Sequence, residues 1–131
     1  MNEPRPVIAR FVSALVRTEL ERGGEGHVAQ RIMVRFHDGL WKLIGSAGFE
    51  VLVARSLVLA QKNHPILAGT SAGPGGALPG LGDAARDADA LQRGAVAIVT
   101  HFVELLVTLI GEDLAMRLLR DVWPGLEEEE Q

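Results

Sequence analysis

The sequence predicts an all-α protein, and three observations carry that expectation. Apolar residues recur at helical spacing along most of the chain. Aromatics make up 5% of the residues and Tyr is absent, whereas a β-sandwich would show aromatic and Thr-rich alternating runs. Two apolar runs, Phe36 to Ile44 and Phe102 to Ile110, both stop at Leu-Ile-Gly, at Gly45 and Gly111. A second apolar helical run with an arginine near its end follows each of them, GFEVLVARSL and LAMRLLRDVW. The expected architecture is a five-helix domain. Two pseudo-repeated αα-hairpins form a four-helix core, and an N-terminal amphipathic helix packs outside it. At 131 residues the whole chain, 1–131, is expected to be one domain, since single domains run to about 100–200 residues.

Pro4 and Pro6 open the chain, and Pro is well tolerated in a first helical turn. Val7, Ile8, Phe11, Val12 and Leu15 then form one face, with Arg10, Ser13, Arg17 and Glu21 opposite, which predicts a helix over 6–22. Gly23 and Gly24 end it. A second helix is expected from His27 to Ile44, with Ile32, Met33, Phe36, Leu40, Leu43 and Ile44 facing inward. Arg31, Arg35, Asp38 and Lys42 read as a solvated face with local ion pairs. Gly39 inside this helix costs about 1 kcal/mol relative to Ala and marks a close helix crossing or nothing. Gly45 stops the helix and Ser46 is placed to cap the next. The third helix, 47–63, is apolar nearly all round, with Arg55 its one internal charge, so it is expected to be buried on several sides.

His64-Pro65 begins a break. Six Gly and three Pro fall between Pro65 and Gly82, a density that leaves no regular element. The stretch is long beside the roughly 4–6 residues usual for a compact-domain loop. It is expected to be a flexible connector, 65–82, between the hairpin halves, or a lid. It is not a phosphate loop, because no Gly-Lys-Ser/Thr closes it and no strand leads into it. Asp83, Asp87 and Asp89 suit a helix N-terminus, so the fourth helix begins within 83–92 and ends at Ile110. The fifth starts at Glu112-Asp113 and reaches Trp123. The acidic tail, 125–131, is expected to be disordered.

Aligning residue 32 with 98 gives six identities in fourteen positions, ending at the two glycines. Beyond them one residue is deleted from the second copy, so that Phe49 faces Leu114, Val51 faces Met116, Val53 faces Leu118 and Arg55 faces Arg120. Coincidence between two amphipathic helices is the plain alternative. If the repeat is real, neither hairpin can bury its apolar face alone, and the two close on each other across a pseudo-twofold.

Candidate chemistry is thin. There is no Cys, hence no disulfide or thiolate site. The net charge is −4 and the pI about 5.5, which argues against phosphate neutralisation by nucleic-acid contacts. The helix-Gly-helix spacing resembles a helix-turn-helix only superficially, because the second helix of each pair is too apolar to lie in a groove. His101 and Glu104 lie three apart on one helix face. Di-iron bundles use Glu-x-x-His from two helices; here the order is reversed and occurs once, so a partly buried hydrogen-bonded pair is expected. Thr100, Glu104 and Thr108 make a thin polar stripe on the same helix. Arg55 and Arg120 snorkel or pair with nearby carboxylates, or else bind an acidic partner. Trp41 and Trp123 read as core edges, although Trp is also enriched at interfaces.

The longest apolar run, Ala95 to Ile110, is shorter than the ~20 residues a spanning helix needs and contains His101 and Glu104. It reads as a buried helix, with a membrane span a distant second. Met1 to Arg17 does not read as a signal peptide, because Glu3, Arg10 and Arg17 break its pattern. A cytoplasmic location is the default, and the Arg-over-Lys bias suits a high-GC bacterial genome. By elimination the sequence points to a non-enzymatic protein–protein interaction module, an adaptor or regulatory domain without cofactor or metal. The alternative is a small-molecule sensor enclosing an apolar ligand, with His101 or Glu104 as its polar anchor. Some of Val51, Val58, Val99, Val103 and Leu106 are expected at the surface of an isolated chain, and a homodimer is expected to cover them.

Overall fold

A computed structural model describes residues 6–23, 27–81 and 87–126. It is all-helical, and no strand occurs among the described residues. The helices are α1 (Pro6–Arg22), α2 (Val28–Ile44), α3 (Ser46–Gln61), α4 (Ala88–Ile110) and α5 (Glu112–Val122). Between α3 and α4 lie two short 3-10 turns, Pro65–Leu67 and Pro74–Gly76. The acidic residues 127–131 lie outside the described residues, as does Asp83.

α4 is the axis of the molecule, in contact with α1, α2, α3 and α5. Its sequence explains why. Leu91, Ala95, Ile98, Val99, Phe102, Val103, Leu106 and Val107 are all buried, and these positions cover more than one helical face. α4 is also long and apolar enough to cross a membrane by length and composition. Phe36 of α2 stacks on Phe102 at 5.3 Å between ring centroids, and Phe49 of α3 tilts onto the same ring at 5.2 Å. Trp123, just past α5, meets Phe36 edge-on at 5.4 Å. These four rings fill the centre of the bundle. Asp87 caps α4, its Oδ1 accepting from the Ala90 N–H at 3.0 Å. Gly39 marks a close crossing, since a Cβ there would lie 2.5 Å from Val122 Cγ2 of α5.

The helix joints are built alike. The Gly45 N–H donates to the Trp41 carbonyl at 2.7 Å, while its own carbonyl accepts from the Phe49 N–H at 2.9 Å. The Gly111 N–H donates to Val107 at 2.8 Å, and its carbonyl accepts from the Ala115 N–H at 3.0 Å. Each glycine therefore ends one helix and begins the next. Ser46 does not cap α3; it is the first residue of that helix, and its Oγ lies 3.4 Å from His37 Nε2. The backbone angles are φ 81°, ψ 151° at Gly45 and φ 92°, ψ 154° at Gly111. The φ is positive, while the ψ is extended and not left-handed helical. This region is essentially reserved for glycine. No atom lies within 4 Å of a Cβ built at either position, so a substitution strains the backbone alone. Gly→Ala and Gly→Val at either joint are each expected to cost about 1–3 kcal/mol. Ala and Val should cost nearly the same, as read from urea midpoints; a neutral result at both joints would remove this account.

The Gly-Pro stretch departs from the sequence expectation. It is no slack tether over its described residues, 65–81, but a folded loop. Leu67 and Leu78 are buried in the core, as is the Thr70 side chain. The loop closes on itself through Ser71 N–H to Pro79 carbonyl at 2.9 Å and Gly73 N–H to Ala77 carbonyl at 2.8 Å. Two glutamines fasten it. The Gln30 amide donates to the Gly76 carbonyl at 3.0 Å and accepts from the Leu78 N–H at 2.6 Å. Gln61 Nε2 donates to the carbonyls of Leu67 and Thr70 at 3.0 and 3.1 Å. Gly76 lies so close to α2 that a Cβ would fall 2.6 Å from the Met33 carbonyl oxygen. Gly76 and Gly80 sit where backbones approach closely, whereas Gly69 and Gly75 have nothing within 4 Å of a built Cβ.

The one-residue deletion proposed between the two runs sets residues of unlike burial against each other. It would align Val51, 67% exposed, with buried Met116. Without the deletion, buried Phe49, Val53 and Leu57 fall on buried Ala115, Leu119 and Trp123. An alignment without the deletion would set Arg55 against Asp121 in place of Arg120.

Candidate functional site

The densest polar cluster centres on Glu19, which the sequence reading passed over. Glu19 is buried although it is charged. One turn from the end of α1, it points inward beside Leu15 and Val16. Arg31 and Arg35 of α2 converge on it, with Arg22 of α1. The Arg31 Nε and Glu19 Oε1 are 3.5 Å apart. Arg22 Nη1 and Arg35 Nη1 lie 3.4 and 3.8 Å from Oε2. The Trp123 indole N–H donates to the same oxygen at 3.3 Å, and Arg31 Nη2 donates to the Glu19 carbonyl at 2.8 Å. Arg35 also lies over the Trp123 ring, 4.5 Å from its centroid, a cation–π contact. Arg31 and Arg35 are thus not a solvated face. They join α1, α2 and the end of α5 through one carboxylate. A carboxylate on the apolar face of α1, four residues after Leu15 and seven after Val12, was the available signal, since burying a charge demands partners.

His27 caps α2, its Nδ1 accepting from the Ala29 N–H at 3.2 Å. Burial, and then the Arg31 charge, holds its pKa below the usual histidine value. The neutral ring is the form that can accept that hydrogen bond.

The other candidates are scattered. His101 Nδ1 and Glu104 Oε1 are 3.3 Å apart, each side chain 29% exposed. The Thr108 hydroxyl only bonds back to the Glu104 carbonyl at 3.0 Å. Arg55 is exposed on α3. Arg120 is exposed on α5, in a shallow depression with Val7, Glu112, Met116 and Arg117. The two tryptophans differ: Trp123 is buried, so it serves the core, whereas Trp41 is exposed beside His37 and Lys42. Among the described residues no three His, Asp or Glu side chains come together as a metal site would need.

The apolar candidates divide sharply. Val99, Val103 and Leu106 are fully buried, which removes Val103 as a surface contact. α4 is surrounded on more sides than a four-helix core alone would provide, because α1 and the folded loop also pack on it. Val51 and Val58 are 67% and 53% exposed. They lie two turns apart on the outward face of α3, with exposed Ala47 and Ala54 between and beside them. Comparison with family models, with curated proteins and with solved structures gave no match.

Proposed function

We propose that the chain is a non-enzymatic interaction module, an adaptor or regulatory domain that works through helix packing and self-associates as a twofold homodimer. The observation that carries this reading is the outward face of α3. A helix whose inner face is anchored by Phe49, Val53, Leu57 and Ala60 still presents Val51 and Val58 to solvent. A contiguous exposed apolar strip beyond a few hundred Å² usually marks an interface. An isologous dimer covers such a strip with its own copy. The sensor alternative draws on the His101–Glu104 pair, but the bundle centre is occupied by four aromatic rings in mutual contact.

Two pseudo-equivalent hairpins, α2–α3 and α4–α5, belong to this proposal. The matching hydrogen bonds at Gly45 and Gly111 support them, as does the stacking of the aligned pair Phe36 and Phe102. α5 ends at Val122, five residues shorter than α3.

An aspartate at Val58 is expected to weaken the dimer without loss of helicity. The same change at Val103 should unfold the chain, because it leaves an unpaired charge in the core. Sedimentation velocity alongside circular dichroism reads both. A Val58→Asp variant that dimerises like the parent would remove α3 from the interface.

A further inference from the structure

We infer that the self-association runs through α3 paired in parallel with α3 of a second copy, in register, with Glu50 of each chain bridging Arg55 of the other. This rests on the self-association proposed above and specifies its geometry. The exposed apolar residues Ala47, Val51, Ala54 and Val58 are spaced four, three and four. That is the alternation of a coiled-coil seam, with valines at one core position and alanines at the other. Alanine lets two helices approach to the short end of the usual range of about 8–10 Å between axes.

The charges beside the seam select the orientation. Glu50 flanks it on one side and Arg55 on the other, five residues apart. In a parallel pair, a residue just before a seam valine reaches the flanking residue five positions further along the partner. Glu50 then meets Arg55 twice, once on each side of the twofold. In an antiparallel pair like flanks face each other, so Arg55 would confront the side carrying Arg55 and Lys62. Among the described residues neither Glu50 nor Arg55 has an ion-pair partner within its own chain. The seam is short. Leu57, the next position on the Glu50 flank, is buried, and Gln61 and Lys62 follow at the end of the helix, so a single reciprocal pair of bridges is available.

The chain has no cysteine, which makes the test clean. Ala54→Cys is expected to form an intermolecular disulfide on mild oxidation. In-register parallel helices bring the two copies of residue 54 opposite each other, within the Cα separation of about 4.4–6.8 Å a disulfide accepts. Ser13→Cys, exposed on α1, should not cross-link. Glu50→Arg and Arg55→Glu should each weaken dimerisation about tenfold, since each change replaces two opposite-charge contacts by two like-charge contacts. The double variant should recover most of the loss. A dimer that fails to cross-link through Ala54→Cys, or whose affinity ignores the charge reversals, overturns the parallel α3 pairing and leaves self-association standing. A parent chain that remains monomeric overturns both.

Discussion

Glu19→Ala is expected to lower unfolding stability by about 3 kcal/mol, within the range for breaking a buried ion pair from one side. The change leaves the buried Trp123 N–H without its acceptor and Arg31, only 20% exposed, without its carboxylate. Arg22 and Arg35 are 54% and 37% exposed, so they regain water and moderate the loss. Glu19→Gln keeps an acceptor for the indole and should recover part of the difference. Denaturant melts of the two variants, with tryptophan fluorescence in a Trp41→Phe background as a local probe of Trp123, check this. If Glu19→Ala lost under 1 kcal/mol, the cluster would not be holding α1 to α2.

Excision of residues 71–79 is expected to cost at least about 4 kcal/mol, combining the loss of one buried Leu with two lost hydrogen bonds. The sequence alone suggests the opposite, because lengthening or shortening a slack loop changes closure entropy only slightly. The folded loop reverses that expectation. Leu78 is a core residue, and the Gln30 amide loses both of its partners in the excision. The expected result is loss of cooperative thermal unfolding; a variant that melts like the parent would show that these contacts contribute little.

Helical periodicity made the elements legible. α1 begins and ends where the apolar face and the flanking Pro and Gly place it, and both hairpin joints lie at the glycines that stop the runs. Local spacing reads such features because they are satisfied within one or two turns. Long-range partnerships were not legible in the same way. Arg31 and Arg35 have the spacing of an exposed charged face, and only the position of α1 turns them toward Glu19. Gly76 and Gly80 look like breakers in sequence, yet Gly76 seats against the α2 backbone, a contact with no local signature. Val58 and Val103 sit in equally apolar helices. What separates them is how many neighbours surround each helix, and no periodicity reports that. The polar stripe on α4 was read more nearly as it lies, because the i, i+3 and i, i+4 contacts of His101, Glu104 and Thr108 are local.

Self-association is the central claim, and the mass of the parent chain in solution tests it most directly. Light scattering coupled to size exclusion, run across micromolar loading concentrations, should give twice the 14.1 kDa of one chain, falling toward the single-chain mass only on dilution. A mass of 14.1 kDa across the whole range would contradict it.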